Sequence, residues 1–300
     1  MDRCVTVDIH GGLGNQMFQY AAGRALALRV GAVLRLDVSH FFCEQKADSR
    51  TSMLPVFPRL AVSADGMVTN APALSCRILR KFSEVAQKVF HLDCQIVPRI
   101  ATEPHFGYWA GIERVKAPVR LHGYWQSEKY FADFAQQIRE DFTYPLLPEG
   151  RAQNMAQRIS DCPHAISLHI RRGDYVSNPQ VQAFHGMPGA EYYASALDRI
   201  TTMVGKSTVF LFSDDPQWVQ EHFDCRGHDA VIVDLGFSEM PQHDMHLMSQ
   251  CRHHIIANSS FSWWGAWLGA REGITIAPSR WFANTAANTA DVCPASWISL

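Results

Sequence analysis

The chain has 300 residues, of which 47% are hydrophobic, 19% charged and 11% aromatic, the composition of a packed globular protein and not of a disordered one. At roughly 100–200 residues per domain, this length predicts two domains. Lys and Arg total 27 against 29 Asp and Glu, a net charge of −2, so the basic surplus that a nucleic-acid binder needs is missing.

In chain order, Cys4–Ile9 is a β-branched run that reads as a strand. It ends in a glycine-rich turn, His10-Gly11-Gly12-Leu13-Gly14. From Asn15 to Val30, Met17, Tyr20, Ala21, Arg24, Ala25 and Leu28 recur at helical spacing. Ala32–Val38 reads as the next strand, and strand, Gly loop, helix, strand is the opening of an α/β domain. Residues 39–118 are proline-rich, with weak helical stretches at Leu74–Phe90 and around Ile112. Val119–Tyr124 reads as a strand and Ser127–Phe142 as a helix capped by Ser127. Pro145, Pro148 and Glu149-Gly150 then mark a boundary, which divides the chain into domains 1–147 and 148–300.

Beyond it the alternation is clean. Strands at Ala165–Ile170, Thr208–Phe212, Val231–Asp234, His254–Ala257 and Gly273–Ala277 alternate with helices at Glu191–Val204, Asp215–Phe223, Asp244–Cys251 and Ser260–Ala270. Five strands alternating with helices predict a parallel, doubly wound sheet. The eight cysteines form no C-x-x-C pair, which favours reduced, partly buried thiols. The apolar start is too short for a signal h-region, and the uncharged stretch from His253 to Ala270 is broken by Asn258, Ser259, Ser260 and Ser262. Both features point to a cytoplasmic protein, with peripheral contact at the inner face of the cytoplasmic membrane left open.

Ligands of such sheets bind beyond the carboxyl ends of the strands. Four polar clusters stand there: His10–Asn15, Arg171–Asp174, Ser213–Asp215 and Asn258–Ser260. Alternation puts His169 and Arg171 on one face of their strand. Adjacent Arg171 and Arg172 suit an anion, because guanidinium binds phosphate oxygens bidentately; a structural Arg–Asp pair is the plain alternative. Asn258-Ser259-Ser260 would cap a helix or hold a phosphate at its N-terminus. Trp263, Trp264 and Trp267 fit core packing better than a sugar platform. Asp214-Asp215 before Pro216 would cap a helix or accept from a nucleobase, and D-D is not the D-x-D spacing of metal-dependent sugar transferases. Met17 stands where a dinucleotide fingerprint from Gly12 needs glycine, and no Gly-Lys-Ser/Thr follows for a P-loop. Asn15 and Gln16 remain as neutral groups able to bond sugar hydroxyls. His243, His246, Cys251 and His253 match no zinc template, and no G-x-S-x-G elbow is present.

Together, Gly11–Ala21, His169–Tyr175, Phe212–Asp215 and Asn258–Leu268 resemble the α-1,2-fucosyltransferase family of bacterial glycan enzymes, glycosyltransferase family 11. Asp244–Met248 and Gly123–Glu128 resemble it too. The resemblance implies a GT-B architecture: two Rossmann-like domains facing across a cleft, the N-terminal one for the acceptor and the C-terminal one for GDP-fucose. It implies Arg171 at the donor's β-phosphate, and His169 with Asp214 or Asp215 near guanine. Ser259, Ser260, Phe261 and Ser262 would hold phosphate, and Asn15 would lie near the reacting sugar. Gly12, Gly14, Ser213 and Asn258 complete the expected donor set, and Arg171, Asn15 and Asp174 are expected to carry the chemistry.

The implied reaction is a metal-independent, inverting transfer of L-fucose from GDP-β-L-fucose to the 2-hydroxyl of a β-galactoside in an oligosaccharide or surface glycan. Positive charge at the leaving diphosphate is the largest help that a protein can give it. Arg171 and the helix start at Ser259–Ser262 would supply that charge without a cofactor or metal. The base stays open among Asp174, Asp8, Glu128 and His10, or the leaving phosphate itself. Other readings are a related transferase with another nucleotide sugar or linkage, and a non-catalytic glycan-binding relative. The intact His169, Arg171, Arg172 and Asp174 set argues against the last, because an idle charge cluster costs solvation energy.

Overall fold

The computed structural model describes residues 3–42, 51–62, 66–68, 99–172, 186–235, 240–269, 272–283 and 287–300. The chain forms two compact units, Met1–Phe142 and Thr143–Leu300. The break expected after residue 147 thus falls a few residues earlier. The helical stretch expected at Leu74–Phe90 lies outside the described residues, as does Asp174.

The first unit contains β1 (Cys4–Asp8), α1 (Leu13–Val30), β2 (Val33–Asp37), β3 (Met67–Val68), β4 (Arg99–Thr102), β5 (Val119–His122) and α2 (Ala135–Asp141). Its sheet is wholly parallel, in the order β3-β2-β1-β5-β4. In β1, Val5 and Val7 are fully buried while their neighbours are half-buried, the period-2 pattern of a strand. Against it lies α1, which buries Met17, Phe18, Tyr20 and Ala21 and ends at Gly31 in the left-handed conformation. The helix expected over Ser127–Phe142 is shorter. Ser127 does accept a bond from the Lys129 N–H, but it opens a 3-10 turn, Glu128–Tyr130. A second turn, Ala132–Phe134, precedes α2. Tyr130 and Phe131, which close the first turn, are both buried. Around Ile112 the chain makes a 3-10 turn, Ala110–Arg114.

The second unit contains α3 (Arg151–Ser160), β6 (Ala165–Ile170), α4 (Ala190–Val204), β7 (Thr208–Ser213), α5 (Pro216–His222), β8 (Asp229–Ile232), α6 (Pro241–Gln250), β9 (His253–Ile255), α7 (Ser260–Trp267), β10 (Thr275–Ala277) and β11 (Ile298–Ser299). Its six strands are parallel, in the order β11-β10-β9-β6-β7-β8. Counted within the unit this is the 3-2-1-4-5-6 order of a Rossmann fold. All six residues of β6 are buried, as expected of a central strand covered on both faces. Ile166, Leu168 and Ile170 pack with Leu197 and Ile200 of α4. On the other face Ala165, Phe210 and Phe212 pack with Ile159 of α3 and Leu247 and Met248 of α6. Two Rossmann-like α/β units, each on a parallel sheet, are the construction that the resemblance implied.

One buried polar cluster ties α1 to α2. The Tyr20 hydroxyl donates to Asp141 Oδ2 at 2.8 Å and accepts from the Ala61 N–H at 3.0 Å. Arg24 Nε reaches the same carboxylate at 3.0 Å. Removing one partner leaves a buried charge uncompensated, at a cost of roughly 3–5 kcal/mol. Asp141→Ala should therefore lower the unfolding midpoint of the first unit in a urea titration and leave that of the second unchanged.

Candidate functional site

In the second sheet the strand order reverses between β6 and β9. Crossovers leave these two strands for opposite faces, so a crevice opens at their carboxyl ends. The segments emerging there are Arg171-Arg172 after β6, Asp214-Asp215 after neighbouring β7, and Asn258-Ser259 after β9. Three of the four polar clusters singled out in the sequence therefore meet at one end of one sheet.

Arg171 Nη1 lies 2.6 Å from Asp214 Oδ2, and the other Asp214 oxygen accepts the Arg172 N–H at 2.8 Å. Arg172 Nε reaches Asp215 Oδ2 at 3.3 Å, and its guanidinium lies 3.6 Å from the Trp218 ring centre. Asp215 also caps α5, with Oδ1 accepting the Trp218 N–H at 3.1 Å and Pro216 in the first helical position. Ser213 Oγ accepts the Asp215 N–H at 3.1 Å. The pair Asp214-Asp215 is thus occupied in holding two arginines and a helix start. The two carboxylates balance the two guanidinium groups.

His169 is 4% exposed, and its carbonyl accepts from the Tyr193 hydroxyl at 3.2 Å. Its ring centre lies 5.6 Å from that of Phe261. Its Nδ1 is buried with no partner among the described residues. Burial drives its pKa down to about 4, against a smaller upward pull from Asp214 and with a still smaller downward push from Arg171. His169 is therefore a neutral imidazole beside the two arginines near neutral pH.

At the start of α7, Ser259 Oγ accepts the Phe261 N–H at 3.3 Å, and Ser262 Oγ donates to the Ser259 carbonyl at 3.3 Å. Both hydroxyls are committed to the cap. What α7 can offer an anion is the N–H groups of Ser260 and Ser262 and the Ser260 hydroxyl, which have no partner among the described residues. Asn258 Nδ2 donates to the carbonyls of Gly186 and Trp281, each at 3.1 Å, and so pins two loops beside α7. Trp263 and Trp264 are fully buried and Trp267 nearly so, as expected of packing residues.

The fourth cluster belongs to the first sheet, whose order reverses between β1 and β5. Gly11 has φ +78°, and a Cβ on it would stand 2.8 Å from Asn15 Nδ2, so only glycine fits. At Gly12, the N-cap of α1, a Cβ would meet nothing within 4 Å. Packing does not explain that glycine. Gly14 is buried in the first turn. Gln16 is fully buried and serves structure rather than ligand: it donates to Gly11 and Thr51 carbonyls and accepts from Met53. Asn15 Oδ1 accepts from Gln126 Nε2 at 2.7 Å. Glu103 sets that partner in place. Its carboxylate accepts the Tyr124 and Trp125 N–H groups at 2.8 and 3.0 Å, and Trp125 adopts φ +58°. Sequence reasoning missed Glu103, Tyr193 and His122, which lie outside the quoted motifs, and the role of Gln126, which lies within Gly123–Glu128 but whose partner Asn15 is 111 residues away.

Among the described residues, no group of three or more His, Cys, Asp or Glu is placed to hold a metal ion. His246 stacks on Tyr144 and His253 on His164, so the set His243, His246, Cys251, His253 is dispersed. Cys4, Cys162, Cys225, Cys251 and Cys293 are free thiols. No helix among the described residues is long and apolar enough to cross a membrane.

Comparison with known proteins agrees with the motifs. The family described as glycosyl transferase family 11 matches residues 98–300. The chain is 34% identical over 301 residues to an alpha-1,2-colitosyltransferase of Escherichia coli, spanning 99% of this chain and 98% of that protein. It is 31% identical over 318 residues to the O-antigen biosynthesis glycosyltransferase WbnK of Escherichia coli, spanning 97% and 99% of the two. To the galactoside alpha-(1,2)-fucosyltransferase 1 of Lagothrix lagotricha it is 27% identical over 166 residues, 53% of this chain and 45% of that one. The chain belongs to glycosyltransferase family 11.

Five imidazoles of the second unit have depressed pKa values. Burial is the main cause for each: His169, His246 and His253 are pushed to about 4, His254 to about 3, and His243 is lowered too. The unfolded chain protonates these groups first as pH falls, so unfolding takes up protons and stability drops below the ordinary histidine pKa. Asp244, pushed up to about 7 by burial and then by Asp234, acts in the opposite sense, but as one group against five. The urea midpoint of the second unit should fall between about pH 7 and about pH 5.

Proposed function

We propose that the chain is an inverting transferase that moves L-fucose from GDP-β-L-fucose to the 2-hydroxyl of a β-galactoside in a surface glycan. The donor is assigned to the second unit, at the reversal point between β6 and β9. One observation carries the reading: Arg171, fixed by Asp214, emerges from β6 beside the strand that leads into the open helix start at Ser260 and Ser262.

As the bond from the anomeric carbon to phosphate breaks, negative charge grows on the diphosphate. A guanidinium already held in place and N–H groups already aimed need no reorganisation at that moment. His169 stays neutral and adds shape and hydrogen bonding, not charge. The reading gives the charge-neutralising role to Arg171 and the helix start and requires no divalent metal. Gly12, where a Cβ would find open space, lets backbone approach a sugar, and Asn15 beside it offers an amide. Asp174 stays in the proposal as a residue of the Arg171–Asp174 segment. Work at the cytoplasmic face of the membrane belongs to the same proposal.

A second donor is favoured by one observation, the full-length similarity to an alpha-1,2-colitosyltransferase. Colitose is fucose without its 3-hydroxyl, so the same phosphate and guanine contacts would serve both.

A thermal-shift panel of GDP, UDP and CMP should show stabilisation by GDP alone; a shift with UDP and none with GDP would overturn the reading. Arg171→Ala should lose roughly 100–1,000-fold in kcat, the typical cost of one such donor, with the melting temperature nearly unchanged. A chelator should leave turnover unchanged, and loss of turnover on chelation would contradict the metal-free mechanism.

A further inference from the structure

We infer that Trp218 is a positioning residue for the donor's diphosphate: its ring pins Arg172, and through Arg172 the carboxylate of Asp214 that holds Arg171. All these groups lie in the second unit, and the role rests on the donor assignment proposed above.

Register brings the groups together. β6 and β7 pair in parallel with Ile170 opposite Ser213. The residues that follow, Arg171-Arg172 on one chain and Asp214-Asp215 on the other, therefore leave the sheet side by side. Asp214 bridges them. One of its oxygens accepts the Arg172 N–H at 2.8 Å, and the other meets Arg171 Nη1 at 2.6 Å. Arg171 is thus held by a carboxylate whose second contact is the main chain of Arg172. A shift of the Arg172 backbone carries Asp214 and Arg171 with it.

What fixes Arg172 is the first turn of α5. Asp215 meets Arg172 Nε with one oxygen, at 3.3 Å, and accepts the Trp218 N–H with the other, at 3.1 Å. The Asp215 side chain is 42% exposed, and a long ion pair at that exposure contributes little. The Trp218 ring contributes more. Arg172 Cζ lies 3.6 Å from the ring centre, contact distance for a guanidinium on a π face. With that stack in place the Arg172 side chain is only 19% exposed. The ring is itself held. Trp218 packs against the core cluster that contains Leu197, Ile200 and Val219. His222, one turn further along α5, stacks on it at 5.2 Å, and its Nδ1 lies 3.1 Å from the Trp218 carbonyl.

The two adjacent arginines therefore have different work. Arg172 has its plane against the ring and its Nε on Asp215, so it acts as a strut. Arg171 alone of the pair takes the proposed role at the phosphate. Trp218, with a guanidinium and an imidazole stacked on it, is no platform for a nucleobase. Lysine at position 172 would keep the charge but offers neither a plane to stack nor an N–H where Nε stands.

The test measures GDP and GMP binding to the full chain by isothermal titration calorimetry. Trp218→Leu keeps an apolar side chain on the core but removes the π face. It should weaken GDP binding by about 3- to 30-fold, the worth of one cation–π contact. GMP, which has no β-phosphate, should bind W218L as it binds the wild type. Trp218→Phe should recover most of the lost GDP affinity. Arg172→Lys should weaken GDP to a similar extent, and the double variant should lose no more than either single one, because both remove the same contact. A residue serving stability alone would lower the melting temperature and weaken both nucleotides alike. If W218L binds GDP as the wild type does, weakens GMP as much as GDP, or adds its loss to that of R172K, this role falls alone. Should W218L not fold, R172K decides: wild-type GDP affinity overturns the role, and a loss confined to GDP supports it. If the wild type binds neither nucleotide, the donor assignment falls and takes this role with it.

Discussion

The reversal of strand order within a parallel sheet is the constraint from which the rest of this molecule follows. Parallel strands need crossovers, and right-handed crossovers that turn outward from one pair of strands leave its carboxyl ends uncovered. That pair is β6 and β9 in the second unit and β1 and β5 in the first. Backbone groups at those ends have no continuing ladder, so polar residues must gather there. In the second unit they are the arginines and the start of α7; in the first, Asp8, His122 and Asn15.

The two ends use charge differently. At the second sheet every guanidinium has a carboxylate, so positive charge is stored in balanced pairs, and the nearby histidine is kept neutral by burial. Paired arginines keep a fixed geometry, which is what the proposed transfer would use at its leaving group. At the first sheet one arginine serves two acids, and the second oxygen of one of them meets His122. Net charge per half, +2 for residues 1–150 and −4 for residues 151–300, describes neither arrangement. It counts surface residues that set solubility, whereas the chemistry depends on a few oriented groups.

Much of the fold was legible because buried parallel strands leave continuous apolar runs. Ala165–Ile170 coincides with β6, and Thr208–Phe212 falls short of β7 by one residue. β8 was less so: the expected Val231–Asp234 lies two residues beyond Asp229–Ile232, since an exposed charged residue begins an edge strand. The short strands β3, β4 and β11 have no apolar run to announce them. Motif reading located the polar ends of β1, β6, β7 and β9 but not which atoms remain available there. Nothing in Ser259-Ser260-Phe261-Ser262 says that two hydroxyls are consumed by the cap, nor does Asn15-Gln16 say that one amide is buried and saturated. His122 was invisible for a simpler reason: its partner is 114 residues away, and only pairing of β1 with β5 brings them together.

Membership of glycosyltransferase family 11 fixes the class of chemistry; the sugar and the linkage are what the proposed mechanism adds. The most direct measurement is the product of the protein with GDP-fucose and a β-galactoside, its new glycosidic bond read by two-dimensional proton–carbon NMR. The account predicts an α-anomeric signal correlated with C2 of galactose. A β-linked product, or a correlation to another galactose carbon, would contradict it.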